Sequence, residues 1–298
     1  MRPNRRAVVV ATAAALLTPV LPAAASPGPR PDRPLRILLS NDDGHAAPGI
    51  RAVFDALTAA GHDVTIVAPA TNQSGAGAKR TVEDGHVVRA RQVSDRVWAV
   101  EGTPGDSVLF GLGRVFAGRK VDLVVSGTNL GQNVGAINNN SGTVGAAVTA
   151  IDMGVPAVAV STQFDFANVQ NTIANMPATA AFTARLVDRL RRDARGGALL
   201  PAHSGISVNY PTRPNLAAPA GVALTRPTRE TLFSVAYEPD GSGGYRMKPV
   251  IGADIAAERD SDWAALEAGK VSVTPIDADW GASGSSFART AARIKGLR

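Results

Sequence analysis

The chain has 298 residues, 45% hydrophobic and 19% charged, so it is long enough to bury a core and too apolar to stay disordered. It has no cysteine, which excludes disulfide frameworks, thiolate metal sites, cysteine nucleophiles and cysteine-borne lipid anchors. Net charge is +6; the first 25 residues hold three arginines and no acid, and without them the charge falls to +3, too little for nucleic-acid binding by bulk charge.

Arg2, Arg5 and Arg6, the apolar stretch Ala7 to Leu17 and the small-residue site Ala23-Ala24-Ala25 read as a signal peptide over 1–25, cleaved near Ala25. The apolar run is broken by Thr18, Pro19 and Pro22 and falls short of the roughly 20 residues of a membrane span, so no stable membrane anchor is expected. Arg5-Arg6 also fits a twin-arginine signal, a pair that ordinary export signals carry as well. Residues 26–34, with four prolines, form a stiff leader. The expectation is an exported protein with a single folded domain over 35–298.

From Leu35 onward, short apolar runs alternate with amphipathic stretches. Leu35 to Leu39, a helix over Ile50 to Ala60 and Val64 to Val67 make a β-α-β unit with parallel strands. Thr81 to Val100 reads as an antiparallel excursion turning at Asp84-Gly85. A helix follows at about Pro104 to Phe116, then a strand at Val121 to Val125, a helix at about Gly142 to Met153 and a strand at Ala157 to Val160. Strands this apolar imply a sheet covered on both faces. A helix is predicted over Pro177 to Arg192 and a strand over Ile206 to Asn209. Residues from about 212, rich in Pro, Gly and Arg, carry β-like pieces at Val222 to Leu224, Leu232 to Val235 and Val271 to Val273. They read as projecting hairpins for subunit contacts. Ala282 to Leu297 would form a last helix with Phe287, Ala291 and Ile294 inward.

In an open parallel sheet, ligands bind beyond the carboxyl ends of the strands. There the sequence places Ser40-Asn41-Asp42-Asp43-Gly44, Asn72-Gln73-Ser74-Gly75 and Ser126-Gly127-Thr128-Asn129, all oxygen donors among glycines. Adjacent carboxylates repel unless they share a cation, and oxygen donors suit magnesium, manganese or calcium, whereas the four histidines have no zinc-ligand spacing. Asp-Gly is also an ordinary turn and cap signal, and both readings stand open at this point. Ser141-Gly142-Thr143 opens a helix after a Gly- and Asn-rich loop, which suits a phosphate cradle and a capped helix equally. The spacing matches neither Walker A nor the dinucleotide fingerprint. Thr103-Pro104-Gly105-Asp106-Ser107 reads as a capping box, with phosphate contact by Ser107 a minor alternative.

Taken together, Asn41-Asp42-Asp43-Gly44 with Ala47-Pro48-Gly49-Ile50, Ala68-Pro69 with Asn72 to Ala76, Gly102-Thr103-Pro104, Ser126 to Asn129 and Ser141 to Val144 resemble the SurE family of metal-dependent nucleotidases. Asp262 to Ala265 and Val271 to Pro275 resemble its C-terminal segment, so the likeness runs over about 35–280. The resemblance implies a Rossmann-like three-layer α/β/α sandwich with protruding β-hairpins, assembly as a homodimer or homotetramer, and release of phosphate from nucleoside 5′- and 3′-monophosphates. It implies one divalent ion, Mg²⁺ or Mn²⁺ before Ca²⁺, held by Asp42, Asp43, Ser74 and Asn129, with Asp42 and Asp43 as the catalytic pair. Asn41, Ser107, Ser141, Gly142 and Thr143 would line the phosphate side.

Departures from the family pattern are Ala136-Ile137 for an acidic pair, Asn140 for a tyrosine and Thr149 for a glutamate. They fall, on the resemblance, around the substrate mouth or subunit contacts. Export is a further departure, since the family is typically cytoplasmic. Two other classes stay in view. One is a secreted protein that captures nucleotide or phosphate without turning it over. The other is a glycosidase, which would need two acids on opposite sides of a sugar and would survive chelation.

Overall fold

Parallel strands joined by crossover helices bury both sheet faces, so each strand must be apolar on both sides and each helix on one stripe. The computed structural model describes residues 33–194, 197–230, 232–251, 257–279, 281 and 284–295; the expected signal peptide and most of the leader lie outside them. The described chain runs β1 (Arg36–Ser40), α1 (Pro48–Ala59), β2 (Asp63–Pro69), β3 (Arg89–Ser94), β4 (Val97–Glu101), α2 (Pro104–Phe110), β5 (Leu123–Leu130), α3 (Gly142–Asp152), β6 (Ala157–Thr162), α4 (Val169–Asp193), β7 (Ser204–Tyr210), β8 (Val222–Leu224), β9 (Phe233–Pro239), β10 (Tyr245–Ile251), α5 (Asp262–Glu267), β11 (Val271–Asp277) and α6 (Gly284–Arg293).

Nine strands form one sheet in the order β3-β4-β2-β1-β5-β6-β7-β11-β8. β4, β2, β1, β5, β6 and β7 run parallel, while β3 and β11 pair antiparallel with β4 and β7. The order reverses between β1 and β5, which makes their carboxyl ends the crevice where such sheets take ligands. Alternation along β1 feeds both layers. Ile37 and Leu39 pack with Val53 and Leu57 of α1 and Ala180, Ala184 and Val187 of α4, while Leu38 packs with Val108 of α2 and Ala146, Ala147 and Ala150 of α3. The result is the α/β/α sandwich expected from the sequence. A third, small cluster of Val134, Leu232 and Leu266, flanked by Ile137 and Trp263, holds the C-terminal segment against the strand ends.

Several boundaries differ from expectation. The antiparallel excursion turns at Asp95-Arg96, between β3 and β4, and not at Asp84-Gly85. The Thr81 backbone N–H and hydroxyl both donate to the Asp106 carboxylate, at 2.7 and 3.0 Å, so this stretch is tied to the start of α2 instead of pairing with Val87-Val88. β5 continues through the motif that was read as the loop after it. α4 begins at Val169, capped by the Asn168 side chain on the Gln170 N–H; Pro177 lies inside it and does not open it. Beyond residue 212, β8 and β11 enter the main sheet, and among the described residues only β9-β10 forms a separate hairpin. Phe287 of α6 and Ile294 just after it are exposed and do not face a core among the described residues.

Candidate active site at the β1–β5 crevice

β1 delivers Asn41, Asp42 and Asp43 to the crevice. The Asn41 side-chain amide closes the turn on itself, donating to the Gly44 carbonyl at 3.0 Å and accepting from the Gly44 N–H at 3.2 Å. It thereby positions the carboxylates instead of presenting a free group. Asp42 is 3% exposed. Its Oδ1 accepts a 2.5 Å hydrogen bond from the Thr143 hydroxyl, which couples the first strand to the first turn of α3. Gly142 is required at that contact, since a Cβ there would stand 2.7 Å from the Asp42 Cβ and 3.0 Å from its Oδ2. Any side chain would push the carboxylate aside. Ser141, beside it, caps α3 by accepting from the Val144 N–H at 3.1 Å.

Asp43 crosses the crevice in the other direction. Its Oδ2 accepts from the Leu130 N–H of β5 at 3.1 Å, and its Oδ1 faces the Asn72 amide at 3.5 Å. Burial, followed by the charge of Asp42, pushes the Asp43 carboxyl up to about 6; burial raises Asp42 as well, against the opposing hydrogen bond from Thr143. Two neighbouring carboxyls both held above their ordinary range are short of positive charge.

The remaining expected donors arrive on the loop after β2 and at the end of β5. The loop after β2 is fastened by the Gln73 N–H on the Asp42 carbonyl at 2.7 Å, and it exposes Ser74, whose backbone N–H donates to the Asn72 side chain at 2.9 Å. Asn129, on β5 one residue before the N–H that binds Asp43, donates its amide to the Gly131 carbonyl at 2.8 Å. That orientation leaves its Oδ1 free. Two carboxylates, an amide oxygen and a hydroxyl are the hard-oxygen chemistry of a magnesium, manganese or calcium site. Among the described residues no three His, Cys, Asp or Glu gather as metal ligands, so a cation held here would need mixed donors. Ser107 lies fully buried on α2 and donates to the Thr103 carbonyl at 3.0 Å; the expected capping box of Thr103 and Asp106 is formed. Thr149, expected around the substrate mouth or subunit contacts, is buried on α3 and donates to the Gly145 carbonyl.

Sequence reading passed over the Leu130 backbone N–H, the Asn72 amide and the aromatic pair Phe164 and Phe166. The signal for the pair was available: they follow the carboxyl end of β6, where the rule already applied to β1, β2 and β5 also points.

A mostly parallel α/β/α sandwich with paired carboxylates at its topological switch point defines a Rossmann-like protein with oxygen donors at the crevice where such sheets take ligands. Comparison with known proteins narrows the class. The family model described as survival protein SurE matches residues 37–233. The 5′-nucleotidase SurE of Methanocella arvoryzae is 36% identical over 247 residues, covering 82% of this chain and 92% of that one. The 5′-nucleotidase SurE of Methylocella silvestris is 35% identical, covering 82% and 94%. The crystal structure of SurE protein from Aquifex aeolicus superposes with a TM-score of 0.71 at 27% identity, over 87% of this chain and 99% of that one. The chain belongs to the SurE family.

Proposed function

We propose that the protein releases phosphate from nucleoside 5′- and 3′-monophosphates in a reaction that depends on one divalent cation held by Asp42, Asp43, Ser74 and Asn129. Relatives named 5′-nucleotidase, aligned over most of both chains, make it a hydrolase of phosphoric monoesters. The observation that carries the finer reading is the pair at the switch point, Asp42 buried and Asp43 half-buried, tied to α3 and β5 by Thr143 and the Leu130 N–H. A bound divalent ion supplies positive charge beside the phosphoryl oxygens and makes water a better nucleophile. The chain's own residues set the rest. Thr143 and Asn41 fix the carboxylates in place, Gly142 keeps the approach to Asp42 open, and the backbone N–H groups of Gly142 and Thr143 at the start of α3 add hydrogen bonds to the Asp42 carboxylate.

The basic and apolar first 25 residues support export, in which case the enzyme would scavenge phosphate or nucleoside outside the membrane. The β9-β10 hairpin exposes Phe233, Tyr237, Tyr245, Met247 and Val250, a surface in keeping with assembly as a homodimer or homotetramer.

The deciding experiment measures phosphate release from a panel of nucleoside 5′- and 3′-monophosphates with Mn²⁺ or Mg²⁺, with chelator, and in Asp43→Asn. We expect release to vanish with chelator and to fall by about a hundredfold or more in the variant, beyond the loss typical of outer-shell changes. No release from a folded, metal-binding protein would instead favour a nucleotide-capturing protein, with Ala136, Ile137 and Asn140 the first changes to examine.

A further inference from the structure

Beside the carboxylates, on the far side of Leu130, lies an apolar cavity of about 300 Å³. Phe164, Phe166, Trp263, Ile137 and Leu232 line it. Leu130 belongs to both places, since its N–H holds Asp43 and its side chain walls the cavity. The aromatic rings are positioned by structure. Phe164 and Phe166 meet edge to face with centroids 5.0 Å apart. The Phe164 N–H donates to Gln132 at 2.8 Å. Asp165, between the two rings, accepts from the Ala167 and Asn168 N–H groups and the Asn171 amide. Phe166 is therefore held against Phe164 while 62% exposed, so much of its ring is left open to a ligand. Besides Gln132 and the Trp263 indole, the described lining has no polar side chain.

We propose that this cavity takes the aromatic leaving group of the substrate, with the nucleobase stacking against Phe166 and Phe164 while the phosphate lies at Asp42 and Asp43. The inference rests on the nucleotidase reading and deepens it. Every base has a π face, whereas hydrogen-bonding edges differ between bases, so an apolar, ring-lined pocket accepts all bases and ranks them by stacking area. Purine nucleotides are then preferred over pyrimidine nucleotides, and both over phosphate esters of sugars that lack a base. Ile137 contributes an apolar wall here.

The test compares kcat/KM for AMP and for ribose 5-phosphate in the wild type, Phe166→Ala and Phe166→Trp, and separately titrates adenosine by calorimetry without metal. The exposed position of Phe166 keeps the alanine variant foldable. We expect AMP to be favoured by about tenfold or more in the wild type, and Phe166→Ala to lose about tenfold on AMP through KM. The same variant should stay within about twofold on ribose 5-phosphate, and Phe166→Trp should restore AMP. Adenosine should bind the wild type and bind Phe166→Ala at least about tenfold more weakly. Equal use of the two esters by the wild type, or equal loss on both in Phe166→Ala, would overturn the proposal and leave the phosphatase reading standing. Failure of the parent reading shows differently, as no turnover of any ester. Adenosine titration then decides, with binding weakened in Phe166→Ala supporting the cavity and absence of binding refuting it.

Discussion

Asp43 carries the clearest electrostatic consequence in the molecule. Its carboxyl is pushed from 3.8 to about 6 by burial and by Asp42, so the folded protein without metal holds a proton that the unfolded chain releases earlier. Stability from this group is present below about pH 4 and is lost as pH rises through 6, by roughly 2–3 kcal/mol at full effect. A divalent ion favours the charged form and removes the loss. Thermal unfolding between pH 4 and 7 should therefore show stabilisation by Mn²⁺ growing with pH, against a declining baseline in chelator; a metal effect independent of pH would contradict the assignment of Asp43. Asp42, Asp43 and Asn129 stand out in the sequence as oxygen donors after apolar strands, a pattern that an ordinary turn or helix cap explains as well; only the family resemblance singles them out as a ligand set. Leu130 does not stand out, since what it gives the site is a backbone N–H, which any residue has. Asn41 and Ser107 were legible as polar residues at strand and helix ends, but their hydrogen bonds to Gly44 and Thr103 depend on turn geometry that composition does not encode.

Among the elements, α4 shows how local signals compete. Proline is at home in the first turn of a helix, so Pro177 reads as a start, yet the cap at Asn168 and the buried Thr172, Asn175 and Met176 extend the helix ahead of it. Inside the helix Pro177 has no N–H for the Ile173 carbonyl. Because its position is exposed, Pro177→Ala should raise stability by about 1–2 kcal/mol, the helix-propensity gain less the unfolded-state entropy. The urea midpoint should rise with an unchanged slope; a fall would mean that the ring packs usefully. The parallel strands and α1 to α3 were legible because period and burial agree there. The turn at Asp95-Arg96 was hidden by the stronger Asp84-Gly85 signal, which a tertiary bond from Thr81 to Asp106 overrode.

At the scale of the whole molecule, the C-terminal segment is part of the sheet. Asp262, fully buried, accepts from the N–H groups of Gly135, Thr228 and Trp263, each at 2.8–2.9 Å, and so ties this segment to the loop that precedes α3. β11 then pairs with β7 on one side and β8 on the other. A variant ending at Ala257 would bare the edge of β7 and should precipitate or run as large aggregates in size-exclusion chromatography, whereas one ending at Asp279, which keeps β11 and lacks the exposed α6 with the residues around it, should unfold within about 2 °C of the full chain. A soluble, cooperative variant ending at Ala257 would show that β11 is dispensable. The insertion of β11 between β7 and β8 also sets an order of events on the ribosome. β8 is made first yet has no strand to join until β11, the last to emerge, arrives beside β7. The sheet is sealed by its final strand, so a nascent chain cut short before that strand is left with an open edge that quality control can recognise.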